Sequence, residues 1–120
     1  MSVGAQIDKF YLDVSEKAEI WHGEMPNGDR FEFDVKDGRV SFPVWSSKSR
    51  IQRLKKLSPE VLGEVEPKCI SLSVFMNDLV PILVNKNRLI NLNLSGKNLI
   101  GFDLELSRVV SNLEPIENLS

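Results

Sequence analysis

The segment Phe42-Pro43-Val44-Trp45, followed at once by Ser46-Ser47-Lys48-Ser49-Arg50-Ile51, constrains the fold more than any other. Val40, Phe42 and Val44 share one side of a run of alternating residues, which is the period of a strand. The run ends on Trp45 and passes to two serines without a loop. A serine oxygen in that place can accept a free amide of a helix's first turn, so Ser46 or Ser47 is expected to cap a helix reaching about Leu57. Its inner stripe would be Ile51, Leu54 and Leu57. Pro43 has no amide to donate, so it belongs at an edge or a bulge.

The flanks fit around this centre. Val3, Ile7, Phe10, Tyr11 and Val14 recur at steps of three and four, the spacing of one helix face. Ala18 to His22 reads as a strand stopped by Pro26-Asn27-Gly28. Arg30 to Val35 alternates, with Phe31, Phe33 and Val35 on one side. Asp37-Gly38 accepts positive φ cheaply and marks a tight hairpin into Val40. These three strands read as an antiparallel meander. Ser58-Pro59-Glu60 suggests a short new helix ended by Gly63. Val65 to Ile70, with Pro67, suits an edge strand. Ser71 or Ser73 would cap a helix carrying Leu72, Phe75, Met76, Leu79 and Val80, which Pro81 must kink or end. Arg88 to Leu94 and Leu99 to Phe102 form a second hairpin. Asp103 would cap a last helix with Leu106, Val109, Val110 and Leu113 inward, and residues 113–120 would be a frayed tail. The order is α-β-β-β-α-β-α-β-β-α. It implies an α+β fold with helices mainly on one face of a meander-and-hairpin sheet.

The 120 residues suit one domain spanning 1–120. A net charge of −2 gives no long-range pull toward nucleic acid or an anionic membrane. The single Cys69 cannot form an internal disulfide. No apolar run approaches the roughly 18 residues that span a bilayer, and the first residues lack the pattern of a signal peptide. A cytoplasmic location is expected, with no membrane partner.

With its elements placed, the chain resembles a family of small bacterial proteins known only as domain of unknown function 2750. The carrying features are Ile20-Trp21 in a strand after a helix, Pro43-Val44-Trp45 at the end of a glycine-turned meander, Ile70 to Phe75 leading to Leu79-Val80-Pro81, and Gly101 to Leu106 entering a Leu/Val-rich helix. They cover about Ile7 to Leu113. The chain departs from the family in the helix after Trp45, where Ile51, Leu54 and a basic run replace the expected alanine and aromatic. The second half also resembles the N-terminal domain of SseB-like proteins. The resemblance implies a bacterial protein and a fold. It brings no catalytic residues.

Few residues could carry chemistry. His22 is the only histidine, and a general base could sit there; a sheet-surface histidine is the ordinary alternative. Cys69 precedes an apolar helix and reads as a small buried hydrophobe rather than a nucleophile. One cysteine and one histidine cannot make the common zinc patterns, and Asp34 to Gly38 offers too few ligands for calcium. Gly23, Gly28 and Gly38 read as hairpin glycines, not a phosphate cradle. No metal or cofactor is expected. The asparagines Asn91 and Asn93 read as the polar outer face of the last hairpin.

The basic run Lys48, Arg50, Arg53, Lys55 and Lys56 contains no acid. A solvated helix face is the ordinary reading, and an acidic partner or a phosphate backbone the alternative. Trp45 and Trp21 are candidate interface anchors, against a reading as core. The first expectation is therefore a non-catalytic protein-binding module with its interface at Trp45, Trp21, Lys48, Arg50 and Arg53. An immunity-type protein that neutralises a toxin is a specific version. The alternatives are a small hydrolase or transferase using His22, and nucleic-acid binding through helix 48–56, which the mild charge disfavours. A homodimer through Val65 to Ile70 is open.

Overall fold

Strand β3 (Val40–Val44) runs through the middle of the main sheet, with β2 (Phe33–Asp34) antiparallel on one side and β5 (Leu89–Leu92) parallel on the other. The structure is a computed structural model that describes residues 3–96, 98–99 and 101–119. Strand β6 (Asp103–Glu105) completes this sheet antiparallel to β5, giving the order β2-β3-β5-β6. A second, two-stranded ribbon pairs β1 (Glu19–Glu24) antiparallel with β4 (Glu66–Ser71). The helices are α1 (Val3–Lys17), α2 (Lys48–Leu57), α3 (Pro59–Leu62), α4 (Leu72–Val74), α5 (Val80–Asn85) and α6 (Leu106–Leu119), with a π-helical turn Phe75–Leu79 between α4 and α5. The α+β class and the element order are those expected.

The three-stranded meander is not. Strand β1 leaves to pair with β4 and meets the β2 segment only at Glu24↔Arg30. Its link to the main sheet is reciprocal: the amide of Trp21 donates to the carbonyl of Trp45 at 2.9 Å and that of Trp45 to Trp21 at 2.8 Å. Gly23 is therefore not a turn glycine. A side chain there would strike Val65 and the Cβ of Phe31, so its lack of one lets both pack over β1. The tight turn after β2 follows expectation, with φ of 65° at Asp37 and 73° at Gly38.

Both prolines that troubled the sequence are accommodated. Pro43 lies in a strand flanked on both sides rather than at an edge. Its missing amide faces the side where β2 has stopped pairing at Ser41 and β1 begins at Trp45, so no ladder bond is lost. Pro81 cannot donate to the preceding turn, and the π-helical turn widens the helix just before it, with Val80 donating to the carbonyl of Phe75. Helix α6 likewise runs through Pro115 to Leu119, so the described part of the expected tail is helical. Asp103 lies in β6 and does not cap α6. Ile100, from the expected strand Leu99–Phe102, lies outside the described residues.

Strand alternation divides the interior in two. Ile20, Phe42 and Val44 face a larger core with Phe10, Val14, Phe75, Ile90, Val109 and Leu113, covered by α1, α4–α5 and α6. Trp21 and Trp45 face the other way, into a smaller core with Phe31, Ile51, Leu54, Leu62, Val65 and Leu94, covered by α2 and α3. Most helices thus lie on one face, with α2 and α3 on the other. Leu57, expected inside, is 43% exposed because the chain turns away at Ser58.

Candidate functional site

Helices α1 and α2 cover opposite faces of the sheet, yet they meet where the parallel strands β3 and β5 end. The joint is a buried polar network centred on Asn93, which is fully buried at φ 56°. The amide side chain of Asn93 donates to the Gln6 carbonyl and the Ser46 hydroxyl, each at 3.2 Å, and its Oδ1 accepts the Ser46 backbone amide at 2.9 Å. Gln6 Nε2 donates to the Asn93 carbonyl at 3.0 Å, and the Ser95 hydroxyl donates to Gln6 Oε1 at 2.8 Å. Such a network costs stability if any member is left unpaired, so it fixes the relative placement of the parts it joins.

The outermost member of the network is Asp13. The Ser46 hydroxyl donates to Asp13 Oδ2 at 2.7 Å, and Lys9 Nζ lies 2.9 Å from Asp13 Oδ1. Burial pushes the Asp13 carboxyl up, but the Ser46 hydrogen bond, Lys9 and Arg50 outweigh it and hold the group below its ordinary value. Above it opens a cleft of about 230 Å³ lined by Lys9, Asp13 and Lys17 of α1 and by Ser47, Ser49, Arg50 and Arg53 at the start of α2. Four cations thus converge with one carboxylate, in a chain whose net charge is −2. Ser47 occupies the cap position of α2, but its side chain makes no capping bond and lies 3.2 Å from the Ser49 hydroxyl. No acid stands in the first turn of α2. Cations there oppose the helix dipole, so they do not stabilise this helix end.

Of the residues singled out in the sequence, Arg50 and Arg53 line the cleft, while Lys48 is exposed beside it. Trp45 is fully buried, and its indole Nε1 donates to the Leu94 carbonyl at 2.9 Å. It is a core residue and offers no surface to a partner. Trp21 is half-buried against the same core. Lys9, Asp13 and Lys17 escaped the sequence reading, although their steps of four place them on one side of α1.

His22 and Cys69 do not meet. Across the β1–β4 ribbon His22 opposes Lys68 while Trp21 opposes Cys69, so the two side chains leave on opposite faces. His22 is buried, not on the sheet surface. Its Nδ1 lies 3.2 Å from the Gly23 carbonyl and its ring packs against Phe42 at 6.0 Å. Burial lowers its pKa below the ordinary value, with Arg30 and Lys68 acting in the same direction against Gly23 and Glu24. Cys69 is exposed rather than a buried hydrophobe, because β4 is an edge strand; partial burial and Glu19, 3.5 Å away, raise its thiol pKa. Asn91 and Asn93, expected outside, are both buried.

Among the described residues no group of three or more His, Cys, Asp or Glu gathers to hold a metal, and no helix is long and apolar enough to cross a membrane. No curated protein and no solved structure matches the chain. The likeness of the second half to SseB-like proteins gains no support. A family model does match, over residues 7–113, nearly the span over which the strand–tryptophan and late-proline features run, and the chain belongs to that family, described as protein of unknown function (DUF2750).

Proposed function

We propose that this protein is a non-catalytic binding module that receives an acidic segment of another protein in the cationic cleft between α1 and α2. The reading takes the chain as one domain at work in the bacterial cytoplasm. One observation carries it: Lys9, Lys17, Arg50 and Arg53 converge from two helices on a single cleft that only Asp13 offsets. Three further features favour it. The cleft opens just past the carboxyl end of β3, at the first turn of α2, and so is carried by regular elements rather than by a long loop. Cations at the start of α2 work against that helix's dipole, and an acidic ligand would relieve them. The buried network beneath holds the two helices in register, so little ordering is left for binding.

The test is titration of the purified protein with a deca-glutamate peptide at low and moderate salt, alongside a DNA duplex of matched length. The expected result is saturable, salt-sensitive peptide binding that disappears in the Arg50→Glu/Arg53→Glu variant. Equal or tighter binding of the duplex would favour the nucleic-acid reading of helix 48–56. Peptide binding indifferent to the charge reversal would sink the assignment of this cleft.

A further inference from the structure

The cleft between α1 and α2 is small and wholly polar. Its volume of about 230 Å³ falls below the usual range for organic ligands, and no apolar side chain lines it among the described residues. It has room for one compact charged group and no surface for an aromatic or aliphatic body. Four cations and one carboxylate leave a surplus of three positive charges. The carboxylate does not cancel the rest. Both oxygens of Asp13 are engaged, Oδ2 by the Ser46 hydroxyl and Oδ1 by Lys9. Lys17, Arg50 and Arg53 have no carboxylate at ion-pair distance among the described residues. Arg50 feels Asp13 only at longer range.

Two hydroxyls complete the lining. Ser47 and Ser49 lie 3.2 Å apart, and each is the other's only side-chain hydrogen-bond partner among the described residues. The Ser47 hydroxyl is not spent on capping α2. Both hydroxyls can therefore turn to donate to a ligand, and an anion with several oxygens uses them best. A phosphate monoester brings three acceptor oxygens and nearly two negative charges at neutral pH, where a carboxylate brings two oxygens and one charge. Each guanidinium presents a fork of parallel donors that matches those oxygens.

We infer, resting on the reading of this cleft as a site for an acidic protein segment, that the segment is a phosphorylated one: a phosphoserine or phosphothreonine whose phosphate is held by Lys17, Arg50 and Arg53 and accepts from Ser47 and Ser49. The short side chain suits the small cleft, which has no apolar wall for the ring of a phosphotyrosine. A nucleic-acid backbone is the poorer ligand, because each phosphodiester carries a single charge and continues on both sides.

The test is calorimetric titration of the full chain with deca-glutamate and with the same peptide carrying phosphoserine or serine at one central position. The phosphoserine peptide is expected to bind about tenfold or more tighter than deca-glutamate, the equivalent of one good charge-assisted contact, and the serine peptide no tighter than deca-glutamate. The advantage of phosphoserine should fall about fourfold between about pH 7.5 and about pH 5.5, because the second phosphate proton has a pKa of about 6. Asp13, held below its ordinary value, and the lysines and arginines of the cleft keep their charges over that range. Ser47→Ala/Ser49→Ala should narrow the preference for phosphoserine over glutamate, and Arg50→Glu/Arg53→Glu should abolish binding of all three peptides. Deca-glutamate binding with no gain from phosphoserine would overturn the assignment of a phosphate and leave the binding module standing. Failure of all three peptides to bind would overturn both. Inorganic phosphate binding as tightly as the phosphoserine peptide would make the ligand a free anion, and tighter binding of a DNA duplex would make it a nucleic acid; either result would overturn a phosphorylated segment.

Discussion

The two faces of the sheet are built differently. The larger core is aliphatic with scattered phenylalanines, and longer helices such as α1 and α6 close it by steps of three and four. The smaller core is organised around one tryptophan whose indole is tied to a main-chain carbonyl, and it is closed by α2 and the single turn of α3. Among the described residues fifteen buried apolar residues make up the first and seven the second, so loss of one side chain removes a larger share of the second. The cations of the candidate cleft stand where the two layers meet. One face supplies bulk stability, and the seam beside the thinner face supplies charge.

That contrast is sharpest at Trp45. Trp45→Ala is expected to cost ~3–5 kcal/mol, from a large cavity in the smaller core together with the stranded carbonyl of Leu94. Chemical denaturation measures it. Hydrogen exchange of the same variant should show α2 and α3 opening well before α6. If both regions open together at the same free energy, the two cores form one cooperative unit and the contrast fails.

Asn93 comes next. Asn93→Ala should cost ~1–3 kcal/mol, because Gln6 and Ser46 lose buried partners and alanine is strained at φ 56°. Asn93→Gly removes the same side chain without the strain and should be less damaging. Equal melting of the two variants would mean that the network, not the backbone, sets the whole cost.

Local chemistry was legible: Asp37-Gly38 announces its turn, Trp45 hands over to α2, and Phe42 and Val44 face one side. The parallel pairing of β3 with β5 was not, because nothing in either strand's alternation names a partner more than forty residues away. Asn91 and Asn93 misled because an amide beside a turn is ordinarily solvated, and only tertiary packing brings up Gln6 of α1 and Ser46 after β3, the partners that let Asn93 be buried. Half of the candidate cleft was readable as the basic run of α2. The other half, Lys9, Asp13 and Lys17, looked like the polar side of a helix until the fold placed it opposite Arg50 and Arg53.

His22, beside the larger core, should make stability fall in mildly acidic solution. Burial holds its pKa below the ordinary 6.5, so between that value and the folded one the unfolded chain binds the extra proton. The contribution is complete above about pH 6.5 and is lost as pH falls through the folded value. Arg30, Glu24 and Lys68 are the charged groups that act on it. His22→Gln should flatten the fall in stability that sets in below about pH 6.5, above the range in which Asp13 titrates. An unchanged slope in the variant would assign the pH dependence elsewhere.

The smallest stability effect is expected at the cleft itself, and its smallness is what separates binding from folding there. In Arg50→Glu/Arg53→Glu the attraction between Arg50 and Asp13 is lost, but an acid near the start of α2 now aligns with the helix dipole. The two changes oppose each other, and the guanidinium groups meet no carboxylate at ion-pair distance among the described residues. The melting free energy should therefore stay within about 0.5 kcal/mol of the parent, the usual range for surface substitutions. Loss of deca-glutamate binding with this stability intact would assign the cations to ligand capture. A destabilisation above about 2 kcal/mol would instead make them part of the joint between the two layers, and the thinner core would then depend on charge as well as on Trp45.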